Sequence, residues 1–268
     1  MRTRYFDGLK PRMFAHRGSG GNAPENTLVS FEMAIEAGAD ILEMDVHATR
    51  DGHIVVMHDE MLERTTDGAG SVSAITLTEL KRLDAGYRFS PDKGKTHPYR
   101  GKGIRVPTLQ EVSEGFPRTP FNIEIKQSEP RIEQSVFELL KKVGHAEITL
   151  LAAEKDYLIE RIRSLDARFP TNFCDSEVLE FLQRLNQNNL EDYTPSGRAL
   201  QIPEMYYDVP VLTRDSLEAA HRMGIEVHVW TVNEEADMRR LLKMGVDGIM
   251  TDYPERLTRV VREMGLRP

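Results

Sequence analysis

The sequence predicts an α/β protein closed into a TIM-type (β/α)8 barrel, with a small insertion after the second strand. Three observations point to it. The chain is 268 residues long, which suits one such barrel. Strand-like and helix-like segments alternate along most of it, the pattern of a parallel sheet. Eight strand-like runs can be counted, each followed by helical periodicity. Residues 1–268 are therefore read as one barrel domain.

In order, the strands fall near 12–16 (RMFAH), 40–46 (DILEMDV), 121–126 (FNIEIK), 147–152 (EITLLA), 169–174 (FPTNFC), 199–203 (ALQIP), 225–230 (IEVHVW) and 246–251 (VDGIMT). Helical periodicity fills the gaps at roughly 27–37, 107–115, 131–143, 154–165, 176–186, 213–223, 234–243 and 254–264. The stretch 59–107 breaks the rhythm, because a short βα connection is expected there. It reads as an insertion, Gly-, Pro- and base-rich in its second half, that sits as a cap over the barrel mouth, where active sites lie. Its Lys93, Lys95, Arg100, Lys102 and Arg105 are most simply a solvated surface; the other reading is attraction to anionic head groups or a membrane interface.

Composition excludes several classes. With 40% hydrophobic and 29% charged residues the chain is of ordinary globular type, not disordered or collagen-like. No apolar run exceeds four residues, so no integral membrane segment is expected. The N-terminal stretch lacks the apolar core of a secretory signal, and the chain is read as cytoplasmic. A formal net charge of −8 gives no global attraction for nucleic acid. The one cysteine, Cys174, reads as a core residue. Nothing in the sequence fixes the oligomeric state.

The chemistry is concentrated on the strands. Strand parity puts Glu43 and Asp45 on one face of the second strand and Leu42, Met44 and Val46 on the other. The apolar set should meet the helices, so the carboxylates point into the barrel. NIEIK repeats the device, with Asn122, Glu124 and Lys126 sharing a face. Three converging carboxylates, with no thiolate partner, suit Mg²⁺ or Ca²⁺ better than zinc. Lys126 either salt-bridges one of them or holds a substrate oxyanion. Asp51-Gly52 reads as a two-residue hairpin turn, which pairs residue i with 103 − i and sets His58 across from Asp45; a one-residue shift sets it nearer Glu43. His16 ends the first strand, and after it come Arg17 and a Gly-rich loop entering a helix, a place for an anion. Of the other histidines, His53, His97, His145 and His221 read as surface or core, while His47 and His228 share faces with site residues. Trp230 is either a core aromatic or a platform for substrate at the mouth.

Taken together, HRGSGGNAPENT, GADILEMDVHATRDGHIVVMHD, NIEIK, VHVWTVN and GVDGIMTDYP resemble the glycerophosphodiester phosphodiesterase family. The likeness runs from about Phe14 to Pro254 and includes the LERTTDGAGSV opening of the insertion. What the resemblance implies is a TIM-type barrel in which Glu43, Asp45 and Glu124 bind a divalent cation and His16 and His58 form the acid-base pair. It further implies phosphate contacts from Arg17 and Lys126, support from Glu25 and Asn26, and hydrolysis of glycerophosphodiesters to glycerol 3-phosphate and an alcohol. Trp230 is carried as a substrate contact. Within the same chemistry the alternative is a lysophospholipase D, with the 203–207 loop as a wall for an acyl chain and peripheral contact with lipid. Rivals of other classes are a non-catalytic phosphodiester-binding barrel and a metal-dependent aldolase or enolase-type enzyme.

Overall fold

The computed structural model describes residues 3–206 and 208–267. Its strands are β1 (Arg12–Ala15), β2 (Ile41–Ala48), β3 (Ile54–Val56), β4 (Phe121–Ile125), β5 (Thr149–Ala152), β6 (Ala199–Ile202), β7 (Met205–Tyr206), β8 (Val209–Pro210), β9 (Glu226–Val229) and β10 (Gly248–Thr251). The helices are α1 (Leu28–Glu36), α2 (Leu77–Leu80), α3 (Leu109–Gly115), α4 (Glu133–Lys142), α5 (Asp156–Leu165), α6 (Asp175–Asn186), α7 (Arg214–Arg222), α8 (Glu235–Met244) and α9 (Pro254–Glu263).

Parallel pairing runs in the order β5-β4-β2-β1-β10-β9-β6. The first and last strands of the barrel meet along Arg12↔Gly248 to Ala15↔Thr251. The expected strand at 169–174 is not a regular strand. It makes two isolated parallel bridges, Leu151↔Thr171 and Asn172↔Ala199, which join β5 to β6 and complete the ring. Pro170 has no N–H to give to a ladder. The side chain of Asn172 instead exchanges hydrogen bonds with the backbone of Ala153, at 3.1 and 3.3 Å.

Helix-facing residues split into two apolar shells. Leu42, Met44, Val46, Ile123 and Ile125 pack with residues of α1, α3, α4 and α5, and Cys174 is buried in the same shell. Residues of α6 to α9 build the second around Val227, Val229 and Ile249. Along the barrel axis the lower layer is polar as well as aromatic. Arg12 pairs with Glu226 at 2.6 Å, Glu226 meets His228 at 3.1 Å, and Gln201 bridges to Asn122 at 2.8 Å.

The 49–53 turn is not the two-residue one, and the chain takes the register shifted by one residue, the one expected to set His58 nearer Glu43. Val46↔Val56, His47↔Val55 and Ala48↔Ile54 pair residue i with 102 − i, and Met57, not His58, bonds to Asp45. Thr49 N–H bonds to the His53 carbonyl and Gly52 takes a left-handed φ of 82°, so three residues form the tip rather than two. Between β3 and α3 the chain builds its own small core from Leu62, Val72, Leu80, Ala85, Ile104 and Val106.

Candidate active site

Register sets the centre of the site. Asp45 on β2 sits beside Glu124 on β4, and Glu43 lies two residues back on the same face. One oxygen from each of the three carboxylates falls within 4.8 Å of the others. Lys126 Nζ is 2.6 Å from Glu124 and 3.5 Å from Asp45. Burial, with Asp45 adding to it, raises Glu43 to about 7; burial also raises Glu124 to about 7 against the pull of Lys126. Asp45 is buried too, yet Arg17, Lys126 and His58 together hold it below the usual range. Burial thus holds two of the three back from ionising while the third is kept ionised by its cationic neighbours, and a set made only of carboxylate oxygens fits a divalent cation.

Two histidines flank this centre, each held from behind by a carboxylate. His16 Nδ1 lies 2.7 Å from Asp252 Oδ1, and the Asn233 amide donates to Asp252 Oδ2 at 2.7 Å. Burial depresses His16, but the Asp252 hydrogen bond and the Glu43 charge outweigh it, so the net shift is upward. His58 Nδ1 lies 2.6 Å from Asp59 Oδ1. Asp59 is lowered to about 2: burial opposes the shift, and its bonds to Arg64 and His58 prevail.

Arg17 adopts a left-handed φ of 53°. That turns its N–H onto Glu43 at 2.9 Å while its side chain reaches Asp45 at 3.3 Å and Glu25 at 3.1 Å. Gly18 must follow it, since φ is 85° and a Cβ there would stand 2.4 Å from Ser30 Oγ. Asn26 donates to Asp45 at 3.0 Å, and its own Oδ1 is buried without a partner.

Of the ten candidate residues read from the sequence, nine gather around this centre. Trp230 stands apart from the contacts just given: it lies just past the end of β9, 39% exposed, so it is no core aromatic. His228 is fully buried in the polar layer with Glu226 and Gln201 and does not line the mouth. His47 is buried, its Nε2 3.0 Å from the His58 carbonyl. Sequence reasoning missed Asp252, Asn233, Asp59 and Arg64, whose hydrogen bonds lie behind the two rings. All four lie inside stretches that carry the family resemblance, Asp59 beside His58, Arg64 in LERTTDGAGSV, Asn233 in VHVWTVN and Asp252 in GVDGIMTDYP, but the strand parity that marks the carboxylates does not reach them.

No helix of the described residues is long and apolar enough to cross a membrane. The model of the glycerophosphoryl diester phosphodiesterase family matches residues 16–256. A glycerophosphodiester phosphodiesterase of Caldanaerobacter subterraneus subsp. tengcongensis is 35% identical over 96% of this chain and 100% of its own. The lysophospholipase D GDPD1 of Homo sapiens is 30% identical over 91% of this chain and 83% of its own. Among solved structures, a phosphodiesterase of Oleispira antarctica in complex with the product sn-glycerol-3-phosphate superposes with a TM-score of 0.77. It is 27% identical and covers 94% of this chain and 97% of its own.

Proposed function

The chain belongs to the glycerophosphoryl diester phosphodiesterase family, and on that premise we propose that it hydrolyses glycerophosphodiesters to glycerol 3-phosphate and an alcohol. The observation that carries the reading is the meeting of three buried carboxylates with two histidines that are each backed by a carboxylate.

Glu43, Asp45 and Glu124 would hold the divalent cation, Mg²⁺ or Ca²⁺. When bound, it supplies positive charge against the phosphate and its transition state. Arg17 and Lys126 place a guanidinium and an ammonium beside the same carboxylates, where they can receive the phosphate oxygens. Glu25 and Asn26 orient these groups, and Trp230 offers an aromatic face at the mouth for the leaving alcohol.

His58 donates its Nδ1 proton to Asp59, which is ionised, and so keeps Nε2 free to take the proton of the attacking water. Asp252 favours the protonated form of His16 against burial, and from that form His16 delivers a proton to the alcohol oxygen as the P–O bond breaks. Net, one water is consumed and each histidine returns to its starting state through a proton exchange with solvent. The tip of the segment 59–107, beyond Arg64, is a selector among leaving alcohols within a single catalytic domain. The test is hydrolysis of several glycerophosphodiesters, with EDTA and with metal add-back. A protein that turns over none of them, or turns over all of them equally well in EDTA, sinks the reading.

A second substrate class is favoured by one observation. Met205, Tyr206 and Val209, on the β7-β8 hairpin, are exposed, and so is Trp230, whose N–H bonds to Ile202 at the end of β6, three residues before the hairpin. This apolar rim suits the acyl chain of a lysophospholipid; Tyr207, part of the same expected wall, lies outside the described residues. Rates on lysophosphatidylcholine against glycerophosphocholine decide between the two.

A further inference from the structure

Arg64 lies in the segment that follows His58, on a short 3-10 turn, Leu62–Arg64. The turn is pinned. Leu62 is buried and its N–H bonds to Gly70, Val72 N–H bonds to Glu60, and Met61 bridges Ser71. From that support the guanidinium grips two carboxylates at once. It ion-pairs with Asp59 through Nε, with Nη2 3.2 Å from Asp59 Oδ1, and it meets both oxygens of Glu25 at 2.8 and 2.7 Å. Each carboxylate has a second duty. Asp59 Oδ1 receives His58 Nδ1, and Glu25 Oε1 receives Arg17 Nη1. A continuous ladder therefore runs His58, Asp59, Arg64, Glu25, Arg17, Asp45.

We infer that Arg64 is a positioning residue: it fixes the tautomer of His58 through Asp59 and the placement of Arg17 through Glu25, and so makes the insertion part of the reaction centre. The planar fork is what the geometry needs, because two carboxylates must be held at fixed angles to each other. A lysine supplies the charge but not the fork. With Arg64 gone, Asp59 would be free to turn to solvent and Glu25 would have Arg17 as its remaining cationic partner among those described. The first change loosens the base; the second draws Arg17 away from the phosphate.

The inference rests on the proposed activity for its kinetic arm and stands free of it for its spectroscopic arm. Arg64→Met should lower kcat on glycerophosphocholine about tenfold or more, the scale of losing an outer hydrogen-bond partner. KM should rise as well, and Arg64→Lys should recover part of both. In an Asp59→Asn background the kcat cost of Arg64→Met should vanish, while the KM cost persists because it travels through Glu25. In ¹⁵N-histidine spectra above the histidine pKa, His58, identified by its loss in His58→Gln, should be the Nδ1–H tautomer in the wild type and a mixture in Arg64→Met. An unchanged tautomer, kcat costs that multiply with Asp59→Asn, or a lowered Tm with wild-type kcat, KM and tautomer each overturn it. If the wild type hydrolyses no glycerophosphodiester, the functional reading fails, and the tautomer measurement still decides the role of Arg64.

Discussion

Asp252 and His16 are 236 residues apart in the chain, yet Asp252 Oδ1 lies 2.7 Å from His16 Nδ1. The contact follows from the closure of the barrel: Ala15 pairs with Thr251, so the next residue of each strand reaches the same rim. Because Asp252 leans on an amide, Asn233, its charge is directed at the imidazole.

Removing that charge should be visible in rate and in pH profile. Asp252→Asn should cut kcat by on the order of 10²-fold, the scale of disabling a proton-transfer group. The general acid works only while protonated, and Asp252 raises the His16 pKa. Its loss should therefore move the alkaline limb of kcat/KM to lower pH. A limb that stays in place would separate Asp252 from the acid.

The two histidines should differ in their response to the leaving group. His16→Ala and His58→Ala should each lose about 10²-fold or more on glycerophosphocholine. On a nitrophenyl ester, whose leaving group needs little protonation, His16→Ala should recover and His58→Ala should not. Equal deficits on both substrates would argue against the division of roles.

Glu43→Gln, Asp45→Asn and Glu124→Gln should each weaken metal binding while the protein stays folded, measured by equilibrium dialysis. Burial holds Glu43 and Glu124 at about 7 without a cation, and the cation needs them ionised. Affinity should thus rise with pH through about 7, with protons released on binding. Calorimetry in two buffers of different ionisation heat reads that release directly.

Far from the mouth, the Arg12–Glu226 pair predicts a stability effect without a catalytic one. Glu226 is buried, which opposes ionisation, but its bonds to Arg12 and His228 hold it well below the carboxylate range. A depressed native pKa contributes stability that is present above the unfolded value, near 4.5, and is lost as pH falls through the native one. Glu226→Gln should cost about 3 kcal/mol by leaving Arg12 uncompensated, and lower Tm by roughly 6–12 °C. Below about pH 4.5 its stability should depend less on pH than that of the wild type. A wild-type Tm would show the pair to be neutral.

The tip of the 59–107 segment offers a test of selectivity. Around Asp92 the bonds are local, to Ser90 and Thr96, whereas Tyr99 packs on the small core and Gly101 bonds to Asp84. Replacing residues 91–96 with Gly and Ser should therefore leave the fold intact and change the ratio of kcat/KM between head groups. A folded variant with no activity on any diester would make the tip part of the reaction itself.

Parity made the carboxylates legible, because Glu43, Asp45 and Glu124 interrupt strands whose alternate residues are plainly apolar. Side chains that act through another side chain leave no such mark: Asp252 and Asn233 belong to loops whose partners are set by ring closure, and Arg64 by a turn of the insertion. The sequence left two hairpin registers open because Gly52 closes a three-residue tip as readily as a two-residue one, and the chain takes the three-residue tip. The fifth stave read as a strand from its composition, but it pairs with its neighbours only through the bridges at Thr171 and Asn172.

The seam at Thr171 and Asn172 divides the molecule unequally. On its amino-terminal side stand His16, Arg17, Glu25, Asn26, Glu43, Asp45, His58, Glu124 and Lys126; on its carboxy-terminal side stand Asp252, Asn233, Trp230 and the exposed hairpin. The apolar shells follow the same division apart from Met13, which packs with the later half, and Cys174, which packs with the earlier one. Neither half is sufficient alone: the imidazole of the earlier half meets its aspartate only where the ring shuts on itself.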